Sequence, residues 1–258
     1  MKAKRMVVLA MLGVVALGCM ATTAYGAKQL LLFGDPSTDN PAWQEALMER
    51  SLRAVSDAFA ARGFEVDLIP ATNLTARLVH ERFAHYTRSL GTNDTFVIYS
   101  HGHGYPRGTF FDNWSDFASR VLALPARDVV IFTMSCHSGA LTDALQRRRA
   151  EWTGRSREGR SLVVLTPAAA EEIAGPSPER TIGNPFTYAI TTAAHGAADG
   201  MSGTSKNGEL EMQELVDHVL KVTHDKSRGR SQTPQFAGEF PTNAVFLRGL
   251  GGSAASGR

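Results

Sequence analysis

Two apolar runs in this chain end on side chains that can attack a carbon or carry a proton. "FVIYSHGHGYP" (Phe96 to Pro106) stops on His101 and His103, and "VVIFTMSCHSG" (Val129 to Gly139) stops on Cys136 and His137. A thiol is nucleophilic as its thiolate, so near neutral pH it needs a base or an electropositive setting beside it. An imidazole supplies the base and can later return the proton to a leaving amine. Gly104 follows His103, and its backbone N–H can approach a developing oxyanion with no side chain in the way; the Cys136 N–H is the second candidate donor. On residue types alone either histidine fits as the base. The same side chains are soft metal ligands, but His-x-His and Cys-His at strand ends lack the paired spacing of a structural zinc site. No metal or other cofactor is expected.

These residues work together only if the chain brings the two run ends to one place. "QLLLFGDP" (Gln29–Pro36) reads as a buried strand ended by turn residues, with Asp35 at its tip. Asn40 and Pro41 form a helix start, a cap residue followed by proline at the first helical position. Trp43, Leu47, Leu52, Val55 and Phe59 then recur at helical spacing, and Arg62–Gly63 ends that helix. "FEVDLI" alternates as a strand, residues 75–90 read as a second helix, and "TFVIYS" as the third strand. A helix around "WSDFASRVLAL", the strand "VVIFTMS" and the strand "SLVVLTPA" (Ser161–Ala168) follow. "FTYAITTAAH" and "ELEMQELVDHVLKVTH" read as helices, and "NAVFL" (Asn243–Leu247) as a last strand. Strands alternating with helices predict an α/β domain with an about six-stranded, mainly parallel sheet and helices on both faces. In such sheets ligands gather beyond the carboxyl ends of the strands, where both motifs and Asp35 lie.

Composition narrows the function class. The 258 residues carry a formal net charge of +2, which gives no argument for nucleic acid as a partner. Lys2, Lys4 and Arg5 precede "MVVLAMLGVVALGCMA", the basic-then-apolar order of a secretory leader. Residues 1–26 are read as that signal peptide, 27–248 as the working domain and 249–258 as a flexible Gly/Ser-rich tail. The expected location is secreted or periplasmic. The alternative is lipid anchoring at Cys19, in which case alone membrane attachment is expected. With Cys19 removed, Cys136 is a lone thiol in an oxidising compartment and a candidate reactive group. Its bland alternative is a buried cysteine acting as a small apolar residue. "DGMSGTSKNGE" (Asp199–Glu209) fails the carboxylate spacing of a calcium loop.

Strand–His–Gly followed by strand–Cys–His–Ser–Gly resembles the caspase, metacaspase and legumain superfamily of cysteine peptidases. "SCHSG" is similar to the metacaspase cysteine motif. "SLVVLTPAAAEEIA", "NPFTYAI" (Asn184–Ile190) and "ADGMSGTSKNGELEMQEL" resemble the later elements, so the likeness covers most of residues 29–247. The resemblance implies a caspase-like fold and a Cys–His dyad. An ungapped match of "DTFVIYSHGHG" to the metacaspase pattern puts His103 on the catalytic position; a caspase-like register selects His101, which then lines the site in either case. Near the substrate the resemblance places Ser135, just before the nucleophile, and Pro167 and Ala168 after the fifth strand. Family members usually carry an acidic residue at one of the two places before the cysteine; here those are Met134 and Ser135. Asp35 on the same rim is the candidate carboxylate for the first specificity pocket, which favours Arg or Lys before the scissile bond.

The expected activity is therefore a cysteine endopeptidase acting on a peptide or protein substrate through a thioester acyl-enzyme. The alternatives are a catalytically silent caspase-like binding domain and a related transamidase. Six arginines crowd residues 145–161, a connection that is often cut during maturation in caspase-like enzymes. It is either a self-cleavage site or a solvated basic loop.

Overall fold

The computed structural model describes residues 26–35, 42–177, 183–227 and 232–250. The expected leader, Cys19, the Asn40–Pro41 helix start and most of the tail lie outside the described residues.

Five parallel strands and one antiparallel strand form the main sheet. In chain order these are β1 (Lys28–Gly34), β2 (Glu65–Ile69), β3 (Thr95–His101), β4 (Asp128–Met134), β5 (Ser161–Thr166) and, later, β7 (Gln235–Glu239). Their spatial order is β2-β1-β3-β4-β5-β7, with β7 antiparallel to β5. Seven α-helices connect or follow the strands: α1 (Ala42–Ala60), α2 (Ala76–Ser89), α3 (Trp114–Leu122), α4 (Gly139–Arg147), α5 (Arg149–Trp152), α6 (Pro185–Ala194) and α7 (Met212–Lys226).

The alternation of the strands divides the core. Leu30, Leu32, Val97, Tyr99, Val130, Phe132, Val163 and Leu165 face α1, α6 and α7. Leu31, Phe33, Phe96, Ile98, Val129, Ile131, Leu162 and Val164 face the α2, α3 and α4 side. Every one of these residues is essentially inaccessible to solvent. Continuous Val/Ile/Leu/Phe runs are what a sheet covered on both faces requires. Each such side chain taken from water contributes about 1.5–3 kcal/mol to holding the layers together.

The expected mainly parallel six-stranded sheet is what forms, with two differences in its later half. The sixth strand is "QFAGE" rather than "NAVFL". Instead, β8 (Val245–Arg248) pairs with β6 (Glu209–Glu211) in a separate two-stranded sheet, so "ELE" is strand and the helix begins at Met212. The arginine-rich connection is also folded: it holds the end of α4, α5 and a 3-10 turn over Arg155–Glu158. Arg155 is buried and donates to the Leu122 carbonyl at 2.9 Å.

Candidate functional site

Strands β3 and β4 lie side by side and in register, His101 opposite Met134. Past that pair the chains stay pressed together. Gly102 N–H donates to the Met134 carbonyl at 3.1 Å, extending the ladder by one rung. A Cβ on Gly104 would sit 1.9 Å from the Cys136 carbonyl oxygen, so only glycine lets the histidine segment lie against the cysteine segment. A Cβ on Gly102 would likewise lie 2.3 Å from Cβ of Asp35. The "GHG" spacing is therefore a close-approach motif on both sides of His103.

Asp35 fixes that segment from the β1 side. It is buried, and its carboxylate accepts the His103 backbone N–H at 2.8 Å, while its own N–H donates to the His101 carbonyl at 2.9 Å. A hydrogen bond to a charged acceptor of this kind is worth about 1.5–3 kcal/mol.

The two histidines differ in environment. His101 is the last residue of β3, and its Nδ1 lies 3.3 Å from the Tyr99 hydroxyl, which in turn lies 2.7 Å from Thr187 Oγ1 on α6. Burial of the ring lowers its pKa to about 4, so it is neutral at physiological pH. His103 lies beyond the end of the strand with its ring near Tyr105, centroids 6.4 Å apart, on a residue only half-buried.

Cys136 occupies a sharp strand-to-helix turn. His137 takes a left-handed φ of 57°, an uncommon conformation for a residue with a side chain. Two bonds hold it there: its N–H donates to the Glu172 carbonyl at 2.9 Å and its Nδ1 lies 2.8 Å from the Ala170 carbonyl oxygen. His137 thus props the turn and faces the loop after β5. The Cys136 thiol contacts the Ala174 carbonyl oxygen at 3.6 Å, and burial pushes its pKa above the ordinary thiol range. Among the described residues no acceptor takes the N–H of Gly104.

A cavity of about 180 Å³ opens beside these residues. His101, His103, Ser135 and Cys136 line one side. Trp43, Leu47 and Met48 of α1 line the second, and Ile173 to Pro176 the third. The third wall is clamped by side chains. Glu172 accepts from Thr233 N–H at 2.6 Å and from Ala169 N–H at 3.0 Å, and Gln232 accepts from Gly175 N–H at 3.1 Å. Asn184 caps α6 through Phe186 N–H at 2.9 Å and donates to the Gly175 carbonyl at 3.4 Å. A second cavity, about 10 Å³, lies on the other side of the histidine segment among Ser100, Thr133 and Ser135. The hydroxyls of all three are buried and have no hydrogen-bond partner among the described residues. That volume is about what one water needs.

The structure gathers most of the residues expected from sequence. His101, His103, Ser135 and Cys136 share the larger cavity, and Gly104 abuts Cys136. Asp35 is not among the lining residues described; its carboxylate is turned onto the His103 backbone. Pro167 and Ala168 are buried behind the wall, and the residues that face the cavity lie further along, at Ile173 to Pro176. Sequence reasoning missed the α1 side of the cavity and the Tyr99–Thr187 support of His101. Tyr99 carried a usable signal, a phenol inside an otherwise apolar strand that must find a partner when buried.

No protein-family model matches the chain, and no curated protein matches it significantly. Solved structures do. Caspase-1 from Spodoptera frugiperda is 13% identical, with a TM-score of 0.53 over 90% of this chain and 93% of that one. Protein GSU0716 from Geobacter sulfurreducens is 16% identical, with a TM-score of 0.53 over 86% of this chain and 97% of that one. At such identities the likeness is one of fold: the chain has a caspase-like architecture.

Proposed function

We propose that this chain is a cysteine endopeptidase that uses Cys136 as nucleophile and His103 as general base and acid. The observation that carries the reading is the close approach of Gly104 to the Cys136 backbone, which sets the histidine segment against the cysteine segment beside a cavity that His103 and Cys136 both line. His103 gives its proton-accepting nitrogen to the Cys136 thiol as the sulfur attacks the substrate carbonyl carbon. The resulting oxyanion is held by the N–H groups of Gly104 and Cys136. Collapse breaks the C–N bond, and the amine leaves with the proton from His103. Water, deprotonated by His103, then hydrolyses the thioester and regenerates the thiol.

Position supports His103 over His101 in this role, since His103 lies beyond the strand end and is half-buried. Burial pushes the thiol up and holds the His101 ring down, near 4, and both shifts oppose proton transfer from Cys136 to His101. A desolvated histidine hydrogen-bonded to Tyr99 suits packing and substrate contact better than proton uptake.

The raised thiol pKa also favours a second reading, a silent domain that binds peptides without cleaving them. A peptidyl electrophile with a fluorescent tag separates the two. The peptidase reading expects covalent labelling of wild type at Cys136, much faster than iodoacetamide labelling at equal concentration, and none in Cys136→Ala. Labelling no faster than that of a free cysteine would favour the silent domain. In the same proposal residues 1–26 direct export and 27–248 form the enzyme. Amino-terminal sequencing of protein recovered outside the cytoplasm is expected to start at Ala27.

A further inference from the structure

We propose that the cavity beside Cys136 receives an uncharged, apolar side chain of about leucine to phenylalanine size, belonging to the substrate residue on the acyl side of the scissile bond. This deepens the peptidase reading and rests on it.

The first observation is the chemistry of the walls. Trp43, Leu47, Met48, Met134, Ile173 and Ala174 supply an apolar part of the lining. Two of its polar members offer no charge. Asn184 spends both ends of its amide on the α6 cap and the Gly175 carbonyl, and His101 is uncharged near neutral pH. Among the described lining residues there is no carboxylate, ammonium or guanidinium. The carboxylate of Asp35, on the same rim, is 4% exposed and holds the His103 N–H. A lysine or arginine side chain entering this space would be desolvated with no carboxylate among the described lining residues to meet it, at a cost that drives such groups to stay outside.

The second observation is the exposure of two of these same lining residues. Of the five large apolar side chains left exposed among the described residues, two stand at this cavity: Trp43 at 55% and Ile173 at 66%. Tyr105, also 55% exposed, flanks His103. Scattered exposed apolar residues need no explanation, but Trp43 and Ile173 share the cavity that Cys136 lines, and burying such surface is favourable by about 25 cal/mol per Å². An apolar ligand segment supplies that burial. Size agrees as well: a 150 Å³ apolar cavity accommodates a benzene ring, and this one measures about 180 Å³.

The test is a set of four fluorogenic peptides, identical but for leucine, phenylalanine, lysine or aspartate immediately before the reporter amide, run on the full chain. Leucine and phenylalanine are expected to give kcat/KM about 100-fold or more above lysine and aspartate. Gln44, on α1 at the cavity wall, provides the second arm: Gln44→Glu adds a carboxylate and is expected to raise the lysine-to-leucine ratio about tenfold. Cleavage that depends on Cys136 but prefers lysine or aspartate would overturn the specificity and leave the peptidase reading standing. So would a Gln44→Glu enzyme with an unchanged ratio. Cleavage of none of the four, together with no electrophile labelling of Cys136, would overturn both.

Discussion

At the amino end of β3 and β4 the polar groups close on one another. Asp94 accepts from Ala27 N–H at 2.8 Å and Gly91 N–H at 2.7 Å. Asp128 accepts from Thr95 Oγ1 at 3.2 Å and from Arg127 Nε at 2.8 Å. Of the hydroxyls there, Ser161 alone stays unpartnered among the described residues. At the carboxyl end of the same strands the opposite holds. The hydroxyls of Ser100, Thr133, Ser135 and Ser138 are buried and unpartnered among the described residues, His137 is backbone-strained, and His101 and Cys136 are both desolvated. One sheet thus carries a rim that stabilises it and a rim that is costly to build. Unsatisfied polar groups and strain of this kind persist where the surrounding structure over-determines them, and they cluster at sites of chemistry.

Mutations at the two rims should therefore separate activity from stability. The largest effect is expected from His103→Ala, which lowers kcat/KM by about 10²–10⁴-fold, the usual contribution of a general acid–base group. His101→Ala should cost less than tenfold per folded molecule, and the reverse ranking would remove His103 from its proposed role. Parallel peptide-cleavage assays on the two variants measure this.

Next in size is an acid effect on folding. His101 has a pKa of about 4 when folded and an ordinary value of 6.5 when unfolded. Above pH 6.5 it is neutral in both states and contributes no pH dependence. As pH falls from 6.5 to 4, the unfolded chain takes up the proton first, so stability is lost, by up to about 3 kcal/mol from this group. Urea unfolding at several pH values should show that slope, and His101→Gln should flatten it. The buried His218, whose pKa is also lowered by burial, leaves a residual slope in the variant.

Asp128→Asn probes the closed rim. It weakens the bonds from Thr95 and Arg127, with an expected loss of about 1–3 kcal/mol in unfolding free energy. Activity per folded molecule should stay unchanged, and a fall in kcat/KM would break the contrast between the rims. The smallest effect is at Thr133, whose hydroxyl is buried without a partner among the described residues. Thr133→Val removes that group at constant shape and is expected to be neutral or stabilising by about 1 kcal/mol. Clear destabilisation would show that the hydroxyl is satisfied, for instance through a water in the small cavity beside it.

The legible parts of this molecule were those governed by local rules. Strand period and length placed β1, β3, β4 and β5, and Thr75, which accepts from Leu78 N–H at 3.1 Å, caps α2 as a helix start should. The placement of His101, His103 and Cys136 followed from strands that end together. The illegible parts depend on long-range pairing. "QFAGE" is short and carries a glycine at φ 151°, pressed so close to the Leu162 carbonyl that no Cβ fits; only its pairing with β5 makes it a strand. "NAVFL" has strand composition but follows its partner β6 away from the main sheet. For Asp35, sequence gives the rim it occupies, whereas the bond from the His103 N–H to its carboxylate depends on how two distant segments meet.

The clamp between the loop after β5 and the segment before β7 has a consequence in time. Glu172 and Gly175 are held by Thr233 and Gln232, which a ribosome adds dozens of residues later. At about 5–20 residues per second, a nascent chain displays Cys136 for several seconds before the third wall of its cavity can close. Arrested chains ending before Gln232 are expected to alkylate at Cys136 faster than the released protein, so the thiol is most vulnerable to unwanted reaction during its own synthesis.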